Sequence, residues 1–238
     1  MSSSCFRFKQ FTVRHDRCAM KVGTDGVLLG AWADVAACRT IADAGAGTGL
    51  IALMLAQRNA TAQVDGVEID PEACGQATDN VAASPFAQRI RMYQGAFRDF
   101  ARTTAQRYDL IVSNPPYFTR SLKCPDEKRR LARHDDRLPL DELIGDSLTL
   151  LTPAGRIALI LPVRQQDELR RCLLAHGLHC IRRTLVYAVA GAAPKRCLVE
   201  LSRRPPSSPD GETDSLILED PPHQRSAAYR ELTREFYL

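Results

Sequence analysis

One four-residue turn carries the groups needed to bind a planar primary amine: Asn114, Pro115, Pro116 and Tyr117. The two prolines fix φ near −65° and donate no backbone hydrogen bond, so backbone carbonyls in the turn are left to accept from a ligand. Asn114 adds a side-chain carbonyl, and Tyr117 adds an aromatic face. Such a turn can accept both N–H groups of an exocyclic amine or a carboxamide. The same residues also fit a simple Pro-Pro turn that ends a strand.

A glycine-rich turn upstream predicts a nucleotide-binding loop. Thr40 to Asp43 has the composition of a buried strand, and a helical pattern begins at Leu50. Between them lie the residues of the turn, Asp43, Gly45, Gly47 and Gly49. Strand, glycine turn and helix open the nucleotide-binding α/β folds. A dinucleotide fingerprint expects its third glycine near position 50, and the Asp43 carboxylate would repel a pyrophosphate. The spacing therefore favours a neutral nucleoside with an amino-acid tail, whose ammonium group Asp43 could meet.

A carboxylate is predicted at the end of the second strand, Val64 to Glu68. At the carboxyl end of a strand beside a glycine loop, Glu68 is placed to accept both hydroxyls of a ribose. Asp70 and Pro71 directly after it are predicted to cap and begin the next helix.

These groups must be positioned by an α/β framework. Seven strand patterns are predicted at 40–43, 64–68, 90–94, 109–113, 155–161, 180–189 and 196–202. Helical patterns fall at 72–83, 140–151 and 164–176, and a short strand at 216–219 and a helix from 225 follow. Alternating strands and helices favour a seven-stranded, mostly parallel sheet with helices on both faces. The strands at 180–189 and 196–202 are joined by too few residues for a crossover helix, which predicts an antiparallel hairpin.

The chain is predicted to have two parts. Residues 1–38 form a short N-terminal extension with a strand or hairpin arm at Phe6 to Val13 and a helix from Thr24 through Trp32, capped by Thr24. Residues 39–238 form the α/β domain, with a mobile loop at 203–214.

Composition bounds the class of protein. The 238 residues, 45% of them apolar, suffice for one large domain. The longest apolar run, Ile157 to Val163, is too short to cross a bilayer, so we expect a soluble, cytoplasmic protein. Eight cysteines occur without a C-x-x-C pair, which predicts reduced thiols and no metal site.

The net charge of +4 is mild, but the basic residues are grouped. One group lies near the N-terminus, and the other, at 120–137, directly follows the Pro-Pro turn. The two groups could form an electropositive rim that binds RNA. The candidates are Arg7, Lys9, Arg14, Arg17, Arg120, Lys123 and Arg133. The alternative is an ordinary solvated surface, in which the acids of the second group pair internally.

The glycine loop, Glu68 and the turn at 114–117 together resemble the S-adenosylmethionine-dependent methyltransferases that modify exocyclic amines. More narrowly, the chain resembles the bacterial tRNA1(Val) (adenine(37)-N6)-methyltransferase family, and the resemblance covers nearly its whole length. The strings that carry it are Phe8 to Phe11, His15 to Arg17, Met20 to Trp32 and Glu235 to Leu238.

The resemblance implies a class I, Rossmann-like methyltransferase domain, S-adenosylmethionine as cofactor and a tRNA anticodon loop as partner, with no protein partner required. It implies that Asp43, Gly45 and Gly47 hold the methionine moiety, that Gly49 also belongs to the cofactor-binding loop, and that Glu68 holds the ribose. It further implies that Ile69 and Phe97 enclose the cofactor adenine, that Lys21, Thr24 and Asp25 close over the cofactor, and that Asn114 to Tyr117 hold the target base, with Asn114 also near the cofactor. This chain departs from the family at Ala96, where relatives usually have Asp to accept from the adenine amine.

The implied chemistry needs no strong base. An aromatic amine is a poor nucleophile, but a sulfonium is an excellent electrophile, so neutral acceptors that stabilise charge developing on the nitrogen suffice. His134, beside Asp135, is the obvious candidate for a base, but we interpret it as a surface or RNA-contacting residue.

Other functions share parts of this pattern. An amine methyltransferase acting on adenine or guanine in ribosomal RNA or DNA would use the same turn. A protein glutamine methyltransferase would too, although the enzymes of that kind used for comparison have a longer helical N-terminal domain. A non-catalytic RNA-binding subunit with this fold would be expected to have lost the glycine loop or the turn, and both are intact here.

Overall fold

The computed structural model describes residues 4–18, 20–116, 138–206 and 211–238. The strands in these ranges are β1 (Cys5–Arg7), β2 (Thr12–Arg14), β3 (Thr40–Ala44), β4 (Gln63–Glu68), β5 (Ile90–Gln94), β6 (Tyr108–Ser113), β7 (Leu151–Pro162), β8 (His179–Val189), β9 (Arg196–Ser202) and β10 (Glu212–Glu219). The helices are α1 (Thr24–Trp32), α2 (Leu50–Arg58), α3 (Pro71–Ala82), α4 (Phe97–Thr103), α5 (Leu140–Leu150), α6 (Gln166–His176) and α7 (Ala227–Leu232).

The main sheet has eight strands in the order β10-β8-β9-β7-β6-β3-β4-β5. Only β9 runs against its neighbours in the described sheet, and its pairing with β8 confirms the predicted antiparallel hairpin. The predicted count of seven strands was wrong, because β10 pairs in parallel with β8 and begins at Glu212. The first residues of β10 are exposed and polar, so their composition is that of a loop although their backbone forms an edge strand. The start of β10 therefore lies inside the stretch predicted to be mobile.

Each strand of the central sheet sends alternate side chains to opposite faces, and each face is covered by helices. In β7, Ala158 and Ile160 pack into the cluster that contains the buried residues of α1, α2 and α7. Ile157 and Leu159 pack into the other cluster, with α5 and α6. Burial on both faces explains why β7 reads as a continuous apolar run. The predicted α/β fold class is confirmed.

The N-terminal extension packs against the α2 face of the sheet. Strands β1 and β2 pair antiparallel, as the sequence predicted for a hairpin arm, and Phe8 and Phe11 belong to the same core cluster as α2. Helix α1 has the predicted bounds, but its N-cap is Gly23 and no side chain caps it. The predicted cap at Thr24 was therefore wrong, because Thr24 is already the first helical residue.

Helix α4 was not predicted. It has only seven residues, and among them only Phe97 is fully buried, so no repeating apolar face marks it in the sequence. By contrast, the predicted cap of α3 is confirmed. The Asp70 side chain accepts from the backbone amides of Glu72 and Ala73, and Pro71 occupies the first helical position.

Candidate active site

The predicted site residues lie at one edge of the sheet because β3, β4 and β6 are parallel neighbours. The carboxyl ends of parallel strands meet at the same edge, so the residues that follow them converge there. The Ser113 hydroxyl donates to the Ala44 carbonyl at 2.7 Å and fixes the ends of β3 and β6 together. The glycine loop and the turn that begins at Asn114 therefore leave the sheet side by side.

Two adjoining cavities open at this edge, with volumes of about 390 and 370 Å³. The larger extends toward β4, β5 and α4, and the smaller toward the start of α1. Five residues line both cavities: Met20, Gly45, Gly47, Asn114 and Pro116. The glycine loop and the turn thus form the shared wall of one elongated site with two ends.

The glycine loop leaves open space beside its backbone. Gly45 and Gly47 have positive φ angles of 75° and 55°, a conformation that side-chain-bearing residues rarely adopt. Apart from the glycine itself and its two chain neighbours, no residue has a heavy atom within 4 Å of the position that a Cβ would occupy at Gly45 or Gly47. A ligand can therefore approach the backbone here where any other side chain would stand in its way.

Glu68 ties the glycine loop to the end of β4. Its Oε2 accepts from the Gly47 amide at 2.7 Å, and its Oε1 accepts from the Asp70 amide at 2.9 Å. The residue is 8% exposed and lines the larger cavity. A carboxylate has about four acceptor positions, so Glu68 retains capacity for two hydroxyl donors while it holds the loop.

Asp43 lies beneath the loop and is fully buried. Its Oδ2 accepts from the Ala52 amide in the first turn of α2 at 3.1 Å, and its Oδ1 has no hydrogen-bond partner among the described residues. Burial raises the pKa of this carboxyl to about 7, the Ala52 amide opposes the rise, and the nearby Glu68 carboxylate adds to it. The unpartnered Oδ1 suits a cationic ligand group, although Asp43 lines neither cavity.

The larger cavity is lined by both apolar and charged residues. Ile69, 39% exposed, and the buried Phe97 both line it, and so does Ala96. Ala96 offers no side-chain acceptor. Asp99, one helical turn further along α4, lines the same cavity and brings a carboxylate to that wall. Sequence reasoning missed Asp99, because the unpredicted helix α4 is what places it there.

The smaller cavity is lined by the three residues predicted to close over the cofactor, Lys21, Thr24 and Asp25. The Asp25 Oδ2 accepts from the Arg196 Nε at 2.7 Å, so the start of α1 is linked to the start of β9 by an ion pair. Arg196 also lines this cavity and was missed. The two residues are 171 positions apart, and no local spacing could reveal their contact.

The turn that begins at Asn114 is described up to Pro116. Asn114 and Pro116 line both cavities, and Pro115 lines the smaller one. Other predicted residues lie outside the described ranges: Tyr117, Arg120, Lys123, Arg133, His134 and Asp135.

Comparisons with known proteins agree with this geometry. The family profile described as "Methyltransferase small domain" matches residues 21–166. The tRNA1(Val) (adenine(37)-N6)-methyltransferase of Parabacteroides distasonis is 51% identical over 238 residues, which covers 100% of this chain and 99% of the relative. The protein of the same name from Bacteroides fragilis is 46% identical over 239 residues, again covering 100% of this chain and 99% of the relative. This chain belongs to the tRNA1(Val) (adenine(37)-N6)-methyltransferase family.

Solved structures support the fold alone. A crystal structure of a predicted O-methyltransferase from Agrobacterium tumefaciens has a TM-score of 0.68 and 20% sequence identity, covering 89% of this chain and 96% of that one. The predicted class I methyltransferase architecture is thereby confirmed.

The described residues fit the cofactor of this enzyme class, S-adenosylmethionine. The open backbone at Gly45 and Gly47 admits a ligand, Glu68 can accept two hydroxyls, and Ile69 and Phe97 give apolar walls. Asp43 is buried next to the glycine loop and lines neither cavity, so a contact of its unpartnered oxygen with an ammonium group stays a prediction. The individual contacts of these residues with the cofactor remain predictions.

The four predicted RNA-binding residues of the N-terminal group differ in whether their charged side chains already contact other parts of the protein. Arg17 pairs with Asp79 on α3, and the Lys9 Nζ donates to the Arg234 carbonyl at 2.6 Å. Arg7 and Arg14 are exposed on the hairpin. Two of the four cations therefore already have protein partners, and RNA binding by any of them remains a prediction.

No group of potential metal ligands occurs in the described residues. Within the same ranges, no helix combines the length and apolar character that a membrane crossing requires.

The raised pKa of Asp43 predicts a pH-dependent stability. The unfolded chain loses this proton near its ordinary value of 3.8, whereas the folded chain keeps it up to about pH 7. Rising pH therefore favours the unfolded state, and the free energy of unfolding falls by at most about 1.4 kcal/mol per pH unit between these values. The variant Asp43→Asn can still accept from the Ala52 amide but does not titrate. We expect the stability of Asp43→Asn relative to the cofactor-free wild type to rise from pH 5 to 7 and then level off.

Chemical denaturation at several pH values checks this expectation, with Asp167→Asn, an exposed carboxylate on α6, as control. A stability difference between Asp43→Asn and wild type that stays constant from pH 5 to 8 would mean that Asp43 is ionised throughout.

Proposed function

We propose that this protein transfers a methyl group from S-adenosylmethionine to the exocyclic N6 amine of an adenine in tRNA, at position 37 in the anticodon loop of a valine tRNA. The observation that carries the proposal is the position of Asn114, which follows β6 and lines both cavities at their shared wall. At that wall, Asn114 lies between the larger cavity, whose lining suits a nucleoside, and the smaller cavity, which opens under α1. The names of relatives at up to 51% identity over the whole chain supply the choice of tRNA, adenine and position 37.

The cofactor supplies an electrophilic methyl group on a sulfonium. Asn114 and Pro115 contribute neutral oxygens that accept the two N–H groups of the target amine and stabilise the positive charge that develops on its nitrogen. Because these acceptors are held by a rigid turn at the end of a buried strand, they need little reorganisation during the reaction. The amine becomes acidic once methylated, so its proton can leave to water without a dedicated base.

An anticodon loop suits a site of this shape. A base must leave its stack to reach a recessed turn, which costs a few kcal/mol in a duplex and less in a loop that is already partly unpaired. Among the described residues, the part that precedes the sheet consists of the β1–β2 hairpin and α1, which offer little surface with which to open an RNA helix. The protein is therefore suited to a base that is already accessible.

Mass spectrometry of nucleosides tests the proposal. Purified protein is incubated with labelled cofactor and, in separate reactions, with bulk tRNA, ribosomal RNA, duplex DNA or cell protein, and each digest is analysed for labelled N6-methyladenosine and other methylated products. We expect the label in that nucleoside and in the valine tRNA fraction. Label in ribosomal RNA, in duplex DNA or in a protein glutamine, with none in tRNA, would contradict the proposal and favour the corresponding alternative substrate.

A further inference from the structure

A third cavity, of about 520 Å³, lies outside the candidate active site. It is a groove between β1, the start of α1 and the C-terminal segment from Arg225 to Leu238. Phe6 and Tyr237, both partly buried, give it aromatic walls. None of the motifs that predicted the active site includes the arginines that line it.

The groove is strongly basic. Arg225, Arg230 and Arg234 line it, and no acidic residue does so in the described part of the chain. Arg230 is exposed, and no hydrogen bond or ion pair of its guanidinium occurs among the described residues. Arg234 pairs with Glu231 and Glu235, and Arg225 pairs with Glu219 at 3.4 Å. None of these three acids lines the groove, and the charged side chains that line it in the described part of the chain are the three arginines.

The groove adjoins the active site. Gly23 and Thr24 line both the groove and the smaller of the two active-site cavities. A chain-like ligand whose end reaches the active site beneath α1 therefore has the groove next to it. A polyanion with planar groups matches both the arginines and the aromatic walls.

We infer that this groove binds the phosphate backbone of the tRNA segment next to the target base. The inference rests on the proposed function, because the position of the groove beside the candidate active site is what selects RNA over an acidic protein segment. The C-terminal arginines then position the loop, while the base itself is read at the turn. Contacts of this kind fix register and contribute affinity without reading sequence.

The double variant Arg230→Gln/Arg234→Gln tests the inference. Both side chains are exposed on or just after a short terminal helix, so the substitutions leave the core intact. The matched control is Arg170→Gln/Arg171→Gln, two exposed arginines on α6, which packs on the opposite face of the sheet from α7. Each double variant changes the net charge by the same amount. Any effect of overall charge is therefore common to both.

The measurement is tRNA affinity as a function of salt concentration, together with cofactor affinity and the methylation rate at saturating tRNA. We expect the groove variant to bind tRNA about tenfold more weakly. We also expect the slope of log affinity against log salt to flatten by about 1.4 to 1.8, which corresponds to two lost phosphate contacts. Cofactor affinity and the saturated rate should match those of wild type, and the control should match wild type throughout.

The outcomes separate the two proposals. If wild type methylates tRNA and the groove variant has the salt slope of the control, the groove does not hold RNA and the proposed function stands. An equal loss of affinity in both double variants would also overturn the inference, because it would reflect overall charge. If wild type neither binds nor methylates tRNA, the proposed function and the inference fail together.

Discussion

The substitution Asn114→Ala should lower the rate of methyl transfer by about 100-fold or more while leaving cofactor affinity within a few fold. Asn114 begins the turn after β6 and lines both active-site cavities. Removal of one preorganised polar group that faces developing charge has an effect of this size in other enzymes. The cofactor keeps its other predicted contacts, at the glycine loop and Glu68. The loss should therefore fall on the chemical step.

Single-turnover kinetics with enzyme in excess measures the chemical step, and calorimetric titration measures cofactor affinity. The control is Gln106→Ala, an exposed amide in the loop before β6, at the opposite edge of the sheet from the site. It should match wild type in both measurements. Parallel losses of rate and cofactor affinity in Asn114→Ala would make Asn114 a structural residue of the turn.

The second large effect is expected at Glu68. Glu68→Ala should weaken S-adenosylmethionine binding by at least about 100-fold, because two charge-assisted hydrogen bonds to the ribose hydroxyls, each about 1.5–3 kcal/mol, would be lost. The structure shows a second reason why cofactor binding should weaken in this variant. The substitution also releases the amides of Gly47 and Asp70, which the carboxylate holds at 2.7 and 2.9 Å. The glycine loop then loses part of its support.

The variant Glu68→Gln helps to separate the loss of hydrogen bonds to the ribose from the loss of support for the glycine loop. Its one carbonyl can still accept from an amide, while its NH₂ group cannot accept from a hydroxyl. Calorimetric titration and thermal denaturation of both variants are compared with wild type. We expect Glu68→Ala to lose affinity and some stability but to remain folded. An unchanged dissociation constant in Glu68→Ala would exclude Glu68 from the cofactor site.

The framework of the fold could be predicted because its central strands are buried on both faces. Such strands appear as short apolar runs, and parallel pairing brings whatever follows them to one edge. The glycine loop, Glu68 and Asn114 were therefore placed together correctly from sequence alone. Strand β10 was different, since its first three residues are polar and exposed at a sheet edge. Edge pairing depends on the backbone, and composition does not show it.

Contacts between distant parts of the chain could not be predicted. Asp25 pairs with Arg196, and Arg17 pairs with Asp79, because folding brings their elements together. Charge along the sequence gives the number of cations but not their partners. The direction of Asp43 is a similar case. A carboxylate near the end of β3 can face the ligand or the first amides of α2. The sequence does not distinguish these two orientations, and the structure shows the second one, in which Asp43 accepts from the Ala52 amide.

The central claim is methylation of one adenine amine in an anticodon loop, and it is tested most directly by changing that base. Two transcripts of a valine tRNA are compared, one intact and one with guanine in place of adenine 37, under single-turnover conditions with labelled cofactor. We predict label in N6-methyladenosine of the intact transcript and essentially none in the altered one. Equal labelling of both transcripts would contradict the assignment of position 37.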